Sequence, residues 1–213
     1  MKKWLLISGI TCGAMTLSAV SEAAPYVGFN IGYTSTKVTS HAVGNNINTS
    51  DNSSLDGFNG GLLAGYRYKF NFDQFNLAAQ ANVTGYNASS SAHNSGSATL
   101  KESLYYSYGL DLLPGFYIAD NVDLYGIVGY QNGTFKFKRS ASDNTSYNKT
   151  DSLGGYDLGM GTDITLDNNF ALSINYKYIN YGSDKIKVSG SNFYDKKEPR
   201  SNQFLLGILY YFS

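Results

Sequence analysis

The chain has 213 residues with 16 basic and 16 acidic side chains, so no cationic excess exists to neutralise a run of phosphates, and nucleic acid is excluded as a partner. Its 19 Tyr, 12 Phe and 23 Gly against only 3 Pro favour twisted β-structure over helix. One cysteine and two isolated histidines supply neither a disulfide nor a metal-ligand cluster, so no metal and no other cofactor is expected.

The first element is a leader. Lys2 and Lys3 precede an apolar run from Trp4 to about Val20, and Ser21-Glu22-Ala23-Ala24 follows before Pro25, the order of a secretory signal peptide. Cleavage after Ala23 suits the Ser21-x-Ala23 spacing, which makes residues 1–23 the signal peptide and 24–213 one mature domain. Losing the leader removes Lys2, Lys3, Glu22 and Cys12 and leaves a net charge of about −1. Gly9-Ile10-Thr11 ahead of Cys12 does not suit lipid attachment. No later apolar stretch approaches the ~20 residues of a spanning helix, so a membrane location would require strands.

Period-2 alternation then recurs in eight runs, each with one apolar face. The run near 25–36 sets Val27, Phe29, Ile31 and Tyr33 against Gly28, Asn30, Gly32 and Thr34. Near 57–70, Leu62, Ala64, Tyr66, Tyr68 and Phe70 oppose Gly61, Gly65, Arg67 and Lys69. Near 75–87, Phe75, Leu77, Ala79, Ala81 and Val83 oppose Asn76, Gln80, Asn82 and Thr84. Near 102–118, Leu104, Tyr106, Tyr108, Leu110 and Leu112 oppose Ser107, Gly109 and Asp111. The run near 122–138 leaves its facing open, because Tyr125 and Ile127 compete with Leu124, Gly126, Val128 and Tyr130.

Near 153–166, Tyr156, Leu158, Met160, Ile164 and Leu166 oppose Asp157, Gly159, Gly161 and Asp163. Near 170–181, Phe170, Leu172, Ile174, Tyr176 and Tyr178 oppose Ser173, Asn175 and Lys177. The last run, 202–212, sets Phe204, Leu206, Ile208, Tyr210 and Phe212 against Gln203 and Gly207. Short Asn- and Asp-rich turns at 71–74, 119–121 and 167–169 alternate with long polar connections at 37–56, 88–101, 139–152 and 182–201, so every long connection leaves from one end.

Periodicity alone leaves two architectures, a soluble lipocalin-like barrel and a barrel in lipid. Volume separates them. The interior of an eight-stranded barrel is only just filled by side chains, and Phe and Tyr on every strand would overfill it. The apolar set therefore faces outward. Lipid also demands closure, since an open sheet edge would strand its backbone groups there. Aromatics near strand ends, such as Tyr33, Tyr68, Phe70, Phe75, Tyr130, Phe170, Tyr178 and Phe212, suit two interfacial girdles. The opposite face carries both signs of charge, and buried charges must pair. An interior network of Arg67, Lys69, Asp111, Asp157, Asp163 and Lys177 is expected, with Arg67 and Lys177 finding Asp111, Asp157 or Asp163.

The ending Gln203, Gly207, Tyr210 and Phe212 resembles the C-terminal signal read by the outer-membrane assembly machinery, although Ser213 follows the aromatic at which such signals usually stop. Over the whole mature chain the sequence resembles small bacterial outer-membrane barrels of the porin-family and opacity-protein-like group, with OmpA-type and OmpX-type domains. The resemblance implies an all-β fold, a closed eight-stranded antiparallel up-and-down transmembrane barrel with short periplasmic turns and four long extracellular loops. It implies outer-membrane lipid, lipopolysaccharide, the assembly machinery and host surface molecules as partners.

Some barrels of this kind are lipid-modifying enzymes. His41 and His93 are the candidates for such chemistry, and both read as solvated loop histidines with no motif that places a nucleophile or carboxylate beside them. Gly159-Met160-Gly161 lies in a strand with no following helix and reads as close packing rather than a phosphate loop. The segment holding Lys185, Lys187, Lys196, Lys197 and Arg200 is the most basic, diluted by Asp184, Asp195 and Glu198. Three functions follow: a surface or membrane-integrity protein that works through its loops, a narrow porin-like channel, and a lipid-modifying enzyme. The first leads because loops on a rigid scaffold carry function and no constellation speaks for catalysis.

Overall fold

The computed structural model describes residues 23–44, 47–70, 74–94, 98–141, 147–187 and 194–212, so the leader, Cys12 and Ser213 lie outside the described residues. The strands are β1 (Ala23–Gly44), β2 (Ile47–Lys69), β3 (Phe75–Asn94), β4 (Ala98–Ala119), β5 (Val122–Ala141), β6 (Tyr147–Thr165), β7 (Phe170–Tyr181), β8 (Asp184–Lys187) and β9 (Tyr194–Tyr211). Every neighbour in sequence pairs antiparallel from β1 to β7, β7 pairs with β9, and β9 closes on β1 with Asn30 opposite Gly207. Eight strands thus form a closed barrel. The short β8 continues the β7 wall and pairs with the upper part of β9, Lys185 opposite Lys196.

At one end the links are tight. Asp120 and Asn121 alone separate β4 from β5, and at the β6–β7 turn Leu166 N donates to Phe170 O at 2.8 Å. At the other end the connections read as loops prove to be largely strand. β1 and β2 stay paired out to Gly44 opposite Ile47, β3 and β4 to Asn94 opposite Ala98, and β5 and β6 to Arg139 opposite Tyr147. The reason is that a ladder needs only backbone groups. Polar Ser, Asn and Thr runs can therefore pair as strands while carrying no apolar alternation to read. Lengths of 19 to 23 residues for β1 to β6 exceed the ~10 a spanning strand needs, so the surplus projects as hairpins.

The apolar faces point outward, with Ile31 61%, Leu62 64%, Leu110 68% and Met160 65% exposed. A belt of this kind around all eight strands far exceeds the few hundred Å² that a water-soluble surface tolerates, so lipid must cover it. Leu62→Arg, near the middle of that belt, is expected to cost about 2–4 kcal/mol. Urea-induced unfolding in lipid vesicles would read that loss, and an unchanged midpoint would place the belt outside the hydrocarbon.

Two facings depart from or complete the sequence reading. Leu104 does not join the outward row, because β4 pairs Leu104 with Phe135 and Tyr106 with Thr134, leaving Tyr105 as a bulge. The extra residue flips the alternation, burying Leu104 at 1% while Tyr105 and Tyr106 both face out. On β5, Leu124, Val128 and Tyr130 take the outside and Tyr125 and Ile127 turn in. The interior is also more apolar than its Gly, Ser and Asn face suggests. Leu63, Leu113, Ile127 and Leu209 form one inner cluster with Tyr26 and Tyr125, and Leu104, Phe135, Ile179 and Tyr181 form a second toward the hairpins.

Candidate functional site: the barrel interior and its mouths

Two ionic clusters occupy the interior at different heights. The lower one is built on Arg67 of β2. Its Nη1 lies 3.0 Å from Asp123 Oδ2 of β5 and its Nη2 donates to Asp163 Oδ2 of β6 at 2.7 Å. Asn76 Nδ2 donates to Asp123 Oδ1 at 2.7 Å, and the Tyr125 hydroxyl donates to Asp163 Oδ1 at 2.8 Å. Three rings, Tyr26, Tyr125 and Tyr211, surround the guanidinium with centroids 5.8, 5.5 and 5.7 Å from its carbon. Ring faces attract a cation most where water is scarce, so the cage suits a guanidinium that is only 5% exposed.

The upper cluster is built on Lys177 of β7, whose Nζ donates to Asp111 Oδ2 at 2.5 Å and to Asp157 Oδ2 at 3.3 Å. Asp111 is its hub and also accepts from Asn82 Nδ2 at 2.9 Å, Gln80 Nε2 at 3.3 Å and Gln131 Nε2 at 3.3 Å. Gly129 lies between the two carboxylates, opposite Asp111 on β4 and opposite Asp157 on β6. A Cβ there would run into Oδ1 of both. Glycine is therefore the residue that lets them share one lysine.

Asp157 and Asp163 are six residues apart on β6, which puts the clusters roughly 20 Å apart along the strand. Ile127 and Leu113 fill the level between them. Beside Lys177 and Gln131 the remaining void is about 10 Å³, room for about one water. Among the described residues, the interior at these levels is a packed stack of ion pairs alternating with apolar layers, with room for about one water beside Lys177.

The structure brings together Arg67 with Asp163 and Lys177 with Asp111 and Asp157, and it leaves Lys69 out. That lysine is exposed at the turn end, its Nζ 4.8 Å from the centre of the Tyr117 ring. It sits one inward position beyond Arg67, opposite buried Asn76, where the barrel opens and water solvates its charge. Lys69, Arg67, Asp123 and Tyr211 line an open mouth of about 190 Å³. Asp123 went unnoticed in the sequence because the facing of its strand was open; once Tyr125 is known to point inward, period 2 places Asp123 beside it.

Gln203 lies inside, its Nε2 donating to Tyr86 Oη at 2.7 Å, and Gly207 faces Asn30 and Ser173 across both neighbouring strands. Tyr210 and Phe212 face out, edge-to-face with centroids 5.0 Å apart, and Tyr210 packs against Phe170 at 5.2 Å. His41, opposite Ser50 on β2, and His93, opposite Thr99 on β4, belong to different hairpins. Among the described residues no group of His, Cys, Asp and Glu is arranged to hold a metal.

A family model described as the outer membrane protein beta-barrel domain matches residues 5–212. Among curated proteins none matches the chain. Of solved structures, the chain is similar to Ail, the attachment invasion locus protein of Yersinia pestis, crystallised with the heparin analogue sucrose octasulfate, at 21% identity over 88% of this chain and 99% of that one, TM-score 0.45. It is also similar to the neisserial surface protein A, at 18% identity over 86% and 97%, TM-score 0.44. A third is the outer membrane protease OmpT of Escherichia coli, at 9% identity over 89% and 97%, TM-score 0.46.

Proposed function

Since the chain belongs to the outer membrane protein β-barrel domain family and resides in the outer membrane, we propose that it works through its projecting hairpins, in surface contact with host molecules or in membrane integrity, without catalysis. The observation that supports this reading is the packing around Lys177. Space for about one water beside it speaks against a route for solutes, and in this reading the hairpins are the parts that meet the surroundings. In this reading the tight-turn end faces the periplasm, as short turns do in such barrels. Tyr210 and Phe212, presented outward at the closing strand, serve as the assembly signal together with Gln203 and Gly207.

The test is a hairpin truncation. Replacing 40–51 and 90–99 by short turns is expected to keep the heat-dependent gel shift of a folded barrel while abolishing binding to host cells or resistance to membrane stress. Planar-bilayer recordings of the intact protein are expected to show no stable conductance. Reproducible channels that respond to Lys177→Met would replace this reading with transport, and loss of a lipid-modifying activity on His41→Ala or His93→Ala would replace it with catalysis.

A further inference from the structure

The register of the closing seam sets like charges directly against one another. Lys37 of β1 lies opposite Arg200 of β9. Both are exposed, and they occupy the outward positions of their strands, since Val38 and Pro199 beside them are buried. Further out along the same seam, the register sets Lys196 of β9 opposite Lys185 of β8. Directly opposed like charges weaken a sheet, and a fold free to choose would set an acid against each base. Among the described side chains, the carboxylates beside Lys37 and Arg200 do not cancel that pair. Glu198 reaches Arg200 at 3.5 Å in an exposed pair of little worth, and Asp56 faces Ser35, one outward rung below Lys37.

Height decides what such a wall meets. The outward pair Tyr33 and Phe204 marks the top of the apolar belt on this seam, followed by Ser35 with Asn202 and then Lys37 with Arg200. Four residues of a strand tilted by about 40° rise roughly 10 Å. The basic pair therefore sits on the outer wall just above the hydrocarbon, at headgroup level and below the hairpin tips. Anions held at that height belong to lipid rather than to a soluble partner approaching from outside.

We propose that this seam binds the phosphate groups of lipopolysaccharide in the outer leaflet, with Lys37 and Arg200 as the central contacts. A guanidinium matches two phosphate oxygens at once and a lysine adds a point charge, so one phosphate between them turns the opposed pair from a repulsion into a clamp. Glu198, with its side chain 25% exposed, gives up its contact to Arg200 without becoming a fully buried charge. The proposal concerns anchoring in the leaflet and stands apart from what the hairpin tips bind.

The experiment uses the full mature protein in detergent, with diphosphorylated lipid A as probe and the same lipid stripped of phosphate as control. The phosphorylated lipid is expected to raise the temperature of the folded-to-unfolded gel transition and the stripped lipid to leave it unchanged. Lys37→Ala/Arg200→Ala is expected to weaken apparent binding on the order of tenfold, given the contribution of each cation at an anionic lipid surface. Lys37→Arg should retain binding, and the heat-dependent shift verifies that each variant folds. Equal stabilisation by both lipids, or full stabilisation of the double variant, overturns the proposal. Heparin fragments that bind through Lys37 and Arg200 while lipid A does not would overturn it in favour of a soluble polyanion.

Discussion

Replacing Arg67 with methionine is expected to destabilise the barrel by about 3–5 kcal/mol, a large part of the stability of a domain this size. The change removes the one cation between Asp123 and Asp163, two carboxylates that are 3% and 2% exposed at the side chain. Water cannot reach them fully, and the rings of Tyr26, Tyr125 and Tyr211 offer no second positive charge. The same logic makes the reverse change informative. With Asp123→Asn and Asp163→Asn added, no unpaired buried charge remains in the lower cluster, and most of the loss is expected to return. Urea titration of the three proteins in lipid vesicles measures both effects. A triple variant no better than Arg67→Met alone would mean that the guanidinium acts through packing against the tyrosines.

Gly129→Val is expected to cost about 3 kcal/mol or more, combining overpacking with a disturbed ion pair. The new side chain would occupy the space where Asp111 and Asp157 approach the β5 backbone, and Lys177 would lose at least one of its acceptors. The yield of heat-modifiable barrel on refolding should fall accordingly. Gly60→Ala is the control, for its Cβ would stand 3.6 Å from the nearest atom, the Asn30 carbonyl oxygen, an ordinary contact. Equal behaviour of the two variants would show that the upper cluster tolerates separation of its carboxylates.

Much of this architecture is legible without coordinates, and the limits fall at particular residues. Phe29, Leu62, Tyr108, Met160 and Ile208 announce their facing because lipid accepts nothing else over the length of a strand. Arg67, Lys177 and the aspartates announce theirs because a charge on the alternate positions has only the interior to go to. Tyr125 and Ile127 do not, since an aromatic or aliphatic side chain is acceptable on either side of this wall, and with them Asp123 was lost from view. Leu104 misleads for a different reason. A bulge needs only one unpaired residue, Tyr105, and leaves no composition signal at that point.

The order of residues along the chain is enough for the strand count of the barrel, its closure, the outward apolar face and the presence of charges that must pair inside. Each of these follows from a local rule repeated along the chain: a period of two and a solvent that punishes exceptions. The folded barrel adds which acid meets which base, that Lys69 escapes to the mouth, and that leucine and isoleucine layers separate the two ionic clusters. It also set the height of Lys37 and Arg200 above the belt. These are matters of stagger between strands as distant as β1 and β9 or β2 and β6, where a shift of two residues preserves every facing and changes every partner.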